Sequence, residues 1–115
     1  MAKTMGVWRE QLTHDATTTS ATVYSNAVPE GERWFLDRLA FNNDQRSTMD
    51  VKTSIESGAE RHVIHYQSSI TKDEPASVQL QLWLRQGERL RFDVSDIVVG
   101  DRVTIWVTGN KLYQV

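Results

Sequence analysis

The 115-residue chain has no cysteine. That excludes disulfide frameworks, thiolate metal sites, iron–sulfur clusters and cysteine nucleophiles. It has two prolines and six dispersed glycines, so neither a Walker loop nor a dinucleotide fingerprint can be assembled. No apolar run approaches the roughly 18 residues of a membrane-spanning helix. Met1 to Glu10 lacks the apolar stretch of a secretory signal. Nor is there an excess of one charge. Thirteen Lys and Arg against fifteen Asp and Glu leave a net −2, which argues against nucleic acid or anionic lipid as a general partner. The expectation is a globular protein held in a cytosol-like compartment, with one core. A second core would need roughly 50 more residues, whereas a chain this long buries about two thirds of its surface in one.

What is present is alternation. Val78, Leu80, Leu82 and Leu84 alternate with Gln79, Gln81, Trp83 and Arg85. Leu90, Phe92 and Val94 alternate with arginine and aspartate, and Val103, Ile105 and Val107 with Arg102, Thr104, Trp106 and Thr108. Successive strand side chains point to opposite sheet faces, so each segment reads as a strand with one apolar face. Met49, Val51, Thr53 and Ile55 form another set, and His62, Ile64 and Tyr66 a further one. Trp34, Leu36, Leu39 and Phe41 change parity midway, which suits a β-bulge or a strand buried on both faces. Ala21 to Val28 and Lys111 to Val115 complete the strand candidates. Turn residues fall between these segments, at Pro29–Glu32, Ser57–Glu60, Lys72–Pro75, Gln86–Glu88, Gly100-Asp101 and Gly109-Asn110. No segment shows a helical stripe. The fold class is therefore all-β, an antiparallel jelly-roll-like sandwich of about eight short strands. Met1 to Leu12 reads as an N-terminal arm and residues 13–115 as a single sandwich domain, with Thr13 to Thr22 as a loop. Gly31-Glu32-Arg33 and Gly87-Glu88-Arg89 repeat one order 56 positions apart, about the length of one Greek-key half.

Val28-Pro29-Glu30-Gly31-Glu32 leads into a strand ending Asn42-Asn43, and Gln86-Gly87-Glu88 is followed by Val98-Val99-Gly100-Asp101 and a closing strand. This order resembles small β-sandwich structural proteins of tailed bacteriophages, over Val23 to Val115. The resemblance implies a virion structural or surface role, head decoration (cement) among the options, and carries no catalytic residue. Met1 to Thr22 takes no part in it.

Candidate chemistry is sparse. Uniform alternation puts His62 and His65 on opposite faces, and His14 in a loop, so neither pair nor triad suits a metal. There is no Gly-x-Ser-x-Gly elbow. The carboxylates Glu30, Glu32, Glu60, Asp73, Glu74, Glu88, Asp96 and Asp101 lie in turns, where paired glycosidase acids are not expected. The sequence therefore offers no catalytic residues, no metal ligands and no cofactor, and the expectation is that the chain is not an enzyme.

Nine of the thirteen basic residues are arginines, and Arg85, Arg89, Arg91 and Arg102 crowd the second half. Arginine suits interfaces because its planar fork pairs carboxylates and stacks on aromatics. Pairing within the chain and pairing with a neighbouring subunit both remain open. Trp83 and Trp106 fall opposite the aliphatic sets and so point outward. They are covered by the N-terminal arm through Trp8 and Leu12, by a protein partner, or by a sugar. The interface residues expected are Trp83, Trp106, Arg85, Arg91 and Trp8. The partners expected are the chain itself, a trimer being one form, and a major capsid or other virion protein, with no nucleic acid and no membrane. The location expected is the virion, after synthesis in a host cytoplasm and without a signal peptide. The competing reading is a carbohydrate- or receptor-binding module, a lectin-like tip domain that uses the same tryptophans on a glycan.

Overall fold

The alternating segments become eight strands in the computed structural model, which describes residues 3–45 and 48–114. They are β1 (Lys3–Asp15), β2 (Ser20–Tyr24), β3 (Glu32–Asn43), β4 (Met49–Ser57), β5 (Glu60–Ile70), β6 (Ala76–Leu84), β7 (Arg89–Ser95) and β8 (Arg102–Gln114). Among the described residues there is no helix. The first sheet has the order β1-β8-β3-β6 and the second β2-β7-β4-β5, all neighbours antiparallel. Two such four-stranded sheets form a jelly roll. Gly31 precedes β3 and Gly87 precedes β7, the third strands of the two four-strand halves. Both glycines take positive φ, 80° and 84°, which explains the repeated entrance sequence.

The apolar sets meet between the sheets. Val51, Leu84, Leu90, Phe92, Val94, Val103, Ile105 and Val107 are buried, as their alternation requires. Ile55, Ile64 and Leu80 are half-buried against the same core, and Leu82 is half-buried without packing on it. Phe41 of the first sheet meets Phe92 of the second edge-on, with ring centroids 6.2 Å apart, a favoured quadrupolar arrangement. The parity change in β3 is a bulge between Leu36 and Arg38. Asp37 is the inserted residue, so Trp34 and Leu36 before it and Leu39 and Phe41 after it are all buried.

Three expectations change. Residues read as an arm and a loop form β1, which pairs with β8 over its whole length to Asp15; Met1 and Ala2 lie outside the described residues. Its inward positions are Gly6, Trp8, Glu10, Leu12 and His14, too polar to look like a core strand, and its backbone ladder holds it in place. Gly109-Asn110 is not a turn but the middle of β8, with Gly109 directly opposite Trp8 and Leu36. A Cβ on Gly109 would fall 1.9 Å from the Phe35 carbonyl oxygen and 3.2 Å from the Trp8 ring. The glycine is there for close packing against an indole, not for chain reversal. In β5 a register shift sets His65 opposite Thr53 and His62 opposite Ile55, so the two histidines share a face after all. No group of three or more His, Asp or Glu gathers among the described residues.

The turn signatures also find a structural use. Asp101 is buried, and its Oδ2 accepts hydrogen bonds from Asn43 Nδ2 at 3.0 Å and from the Val98 backbone N–H at 2.9 Å. Asn43 Oδ1 accepts in turn from the Gln45 N–H at 3.0 Å. The asparagine at the end of β3 and the Gly-Asp turn before β8 thus fasten one end of the sandwich. Replacing Gly109 by alanine should destabilise the fold by about 3 kcal/mol through overpacking against backbone. Chemical denaturation of the Gly109→Ala variant measures this, and a loss near zero would show that β8 can move away from Phe35.

Candidate interaction face

The outward positions of the first sheet follow from register. Trp83 of β6 lies opposite Phe35 of β3, which lies opposite Asn110 of β8. Trp106 of β8 lies between Gln11 of β1 and Ala40 of β3. Because the Asp37 bulge shifts the parity of β3, Phe35 and Ala40 reach the same side, and so do both indoles. Trp83 is 44% exposed and Trp106 38%. Strand spacing and rise place them about 16 Å apart, so they are two platforms on one face and not a cluster.

Trp83 is supported from within. Phe35 packs edge-on against it at 5.1 Å, and the Arg33 guanidinium lies 5.1 Å from its centroid, within cation–π range. Around Trp106 the outward side chains are Arg9, Gln11, Thr104 and Thr108, and a shallow depression of about 210 Å³ lies beside it. Arg9, Arg33, Arg38 and Arg85 are exposed on or beside this face. None of them makes an ion pair among the described residues, whereas Arg102 is paired with Asp15 at 2.8 Å. Asp37 lies among them and accepts a hydrogen bond from Gln79 at 3.5 Å, and Glu10 lines the depression beside Trp106. A chain of net negative charge thus presents a locally cationic, aromatic face.

The second sheet's outer face is the opposite case. Glu56 receives Arg89 at 2.7 Å and Arg91 at 3.2 Å, and Arg91 also holds Asp93 at 3.1 Å. The Tyr24 ring lies 3.7 Å from the Arg89 guanidinium carbon. These charges neutralise one another across neighbouring strands. The Arg89 hydrogen bond is the main reason that the Glu56 carboxyl is held below its usual value, against the opposing effect of burial.

The expected interface residues therefore separate. Trp83 and Trp106 lie on the cationic face, and Arg85 continues the alternation of β6 one residue beyond its end. Arg91 lies on the other sheet, engaged by Glu56 and Asp93. Trp8 is fully buried, tilted against Trp34 at 4.8 Å, and its Nε1 donates to Glu10 at 2.7 Å. It is a core residue. Sequence reasoning missed Arg9, Arg33 and Arg38, whose grouping depends on strand order. Towards the other side of the sandwich, Asp96 hydrogen-bonds to Asp50 and is held above its usual value by that contact and the neighbouring charge.

No protein-family model matches this sequence, and no curated protein does. Among solved structures, the chain is similar to one in the structure of infectious bursal disease virus Gt strain, at 11% identity and a TM-score of 0.49, covering 94% of this chain and 31% of that one. It is also similar to one from the Gx strain, at 10% identity and a TM-score of 0.45, covering 95% and 31%. The chain thus spans less than a third of the length of either.

Glu56→Gln should lower thermal stability at neutral pH. A depressed carboxylate stabilises the fold above its ordinary value near 4.5 and loses that contribution as pH falls through its lower, folded value. The melting curves of variant and parent should converge in acid. A gap that persists there would mean the arginines are held by packing and not by charge.

Proposed function

We propose that this chain is a non-enzymatic structural protein of a virus particle, attached to the particle through the outer face of its first sheet. The observation that carries the reading is the grouping of two exposed tryptophans with four arginines that make no ion pair among the described residues, on and beside one sheet face. Tryptophan and arginine are the residues that most often dominate interface energies. The tailed-phage resemblance of the turn sequences supports the particle role, head decoration being its finer form. A face of this charge suits an acidic protein surface. It does not suit a face-to-face copy of itself, which would set arginine against arginine. A major capsid protein or another virion protein is the partner, and the virion is the location.

The second reading, a glycan platform, rests on the depression beside Trp106, which is lined by an indole, a guanidinium, a carboxylate, an amide and a hydroxyl. Indoles stack on sugar rings, and polar neighbours orient hydroxyl groups.

Trp106→Ala should weaken attachment to particles assembled without the chain by roughly tenfold or more. Its stability should change by less than about 1 kcal/mol, because the ring is not in the core. Co-sedimentation with such particles and a melting curve measure the two effects. Unchanged attachment would remove Trp106 from the contact. Saturable quenching of indole fluorescence by sugars, with no particle binding, would transfer the face to the glycan reading.

A further inference from the structure

Each sheet has two margin strands: β1 and β6 in the first, β2 and β5 in the second. A margin strand displays unpaired N–H and C=O groups, which proteins keep from pairing by charge, proline, bulges or shortness. β1 carries Arg9, Glu10 and Asp15, and β2 has only five residues. β5 carries Glu60 and Arg61 and two register shifts against β4. β6 differs from all three. Its nine residues, Ala76–Leu84, include no charge and no proline. Its register shift against β3, opposite Asp37, leaves the inside–outside alternation of its side chains intact.

The apolar side of this margin is also incompletely covered. Val78, Leu80 and Leu82 are half-buried. Between β6 and β5 runs a groove of about 560 Å³ lined by Ile64, Gln79, Leu80, Gln81 and Leu82.

We propose that the chain forms a two-fold dimer by antiparallel pairing of β6 with β6 of a second copy. The sequence of β6 is complementary to its own reverse. With Leu80 of both copies at the axis, Val78 falls opposite Leu82 and Ala76 opposite Leu84 on the core side. On the outer side Gln79 falls opposite Gln81 and Ser77 opposite Trp83. No like charges meet anywhere along the ladder, and cross-strand pairs of this kind stabilise antiparallel sheets. Just beyond the strand, Arg85 of one copy lies diagonally beside Glu74 of the other, twice by symmetry. Both residues are exposed, and neither has an ion pair among the described residues.

The axis is normal to the sheet, so the two cationic faces become one eight-stranded surface. Such a surface carries four tryptophans, and two linked contacts gain by avidity over one. The contact is closed at two copies. A single strand pairing buries less than the roughly 1,200 Å² typical of stable complexes, so the dimer is a weak one whose population rises through the micromolar range. The pairing stands whatever the outer face binds.

Sedimentation equilibrium of the parent chain, from about 5 to about 500 µM to span a micromolar constant, should show monomer passing to dimer. Gln79→Lys with Gln81→Lys places lysine opposite lysine at two points and should weaken association at least tenfold. Gln79→Lys with Gln81→Glu places lysine opposite glutamate and should restore it. All these positions are exposed, so at the dilute end of the range, where each is monomeric, the three melting temperatures should agree, and the charge-swapped variant separates repulsion from misfolding. A parent chain that stays monomeric over the whole range overturns the proposal. So do an assembly of any other size, or association that is the same in the double-lysine variant.

Discussion

One inserted residue, Asp37, sets the geometry on which the rest depends. β3 lies between β8 and β6, and a strand shifted by one position turns every later side chain to the other face. Without the insertion, Leu39 and Phe41 would face solvent whenever Trp34 and Leu36 faced the core. The bulge lets twelve residues serve a single core with two apolar runs of opposite parity. It also fixes the outer face, because Phe35 and Ala40 are brought to one side and each has a tryptophan as a direct neighbour on an adjoining strand.

A second constraint is the close approach at Gly109. Trp8 belongs to a strand with few apolar residues, yet it fills the space that the glycine leaves at one end of the sandwich. Trp34 packs against it, and Lys111 lies 4.5 Å from the Trp34 ring. The indole N–H groups do not go unsatisfied: Trp8 donates to Glu10 and Trp34 to Glu32, at 2.7 and 2.8 Å. Large aromatic surface is buried at this end while each polar edge keeps a carboxylate partner. The margin strand β1 is thereby tied to the core by one large side chain and a long backbone ladder.

The net charge of −2 conceals an uneven distribution. On the second sheet Arg89 and Arg91 pair with Glu56 and Asp93 across adjacent strands. On the first sheet Arg9, Arg33 and Arg38 stand among amides, hydroxyls and indoles; Asp37 lies near them, Glu10 lines the depression beside Trp106, and Asp15 is taken up by Arg102. Local fields, not the total, decide what can approach a surface within the Debye length of about 8–10 Å. The sandwich thus has one face where Arg89 and Arg91 are paired within the chain and one where Arg9, Arg33 and Arg38 make no ion pair among the described residues.

Much of this was legible along the chain because strand alternation is local. The apolar sets at residues 78–84, 90–94 and 103–107 identified their strands, their inward sides and the outward direction of Trp83 and Trp106. The paired Gly-Glu-Arg entrances and the parity change in β3 were equally readable, since a bulge or a positive-φ turn leaves its mark within a few residues. What pairs with what was not. Trp8 looked like part of an arm because its burial depends on Gly109, 101 positions away, and that glycine looked like a turn because its confinement is by Phe35 and Trp8. His62 and His65 share a face only through a register shift against β4. Nor was it legible that Arg91 meets Glu56 of its own chain, 35 residues distant. Periodicity fixes which way a side chain points, because backbone geometry alone imposes it; which side chains then meet depends on strand order and register, and those exist only once the sheets have formed.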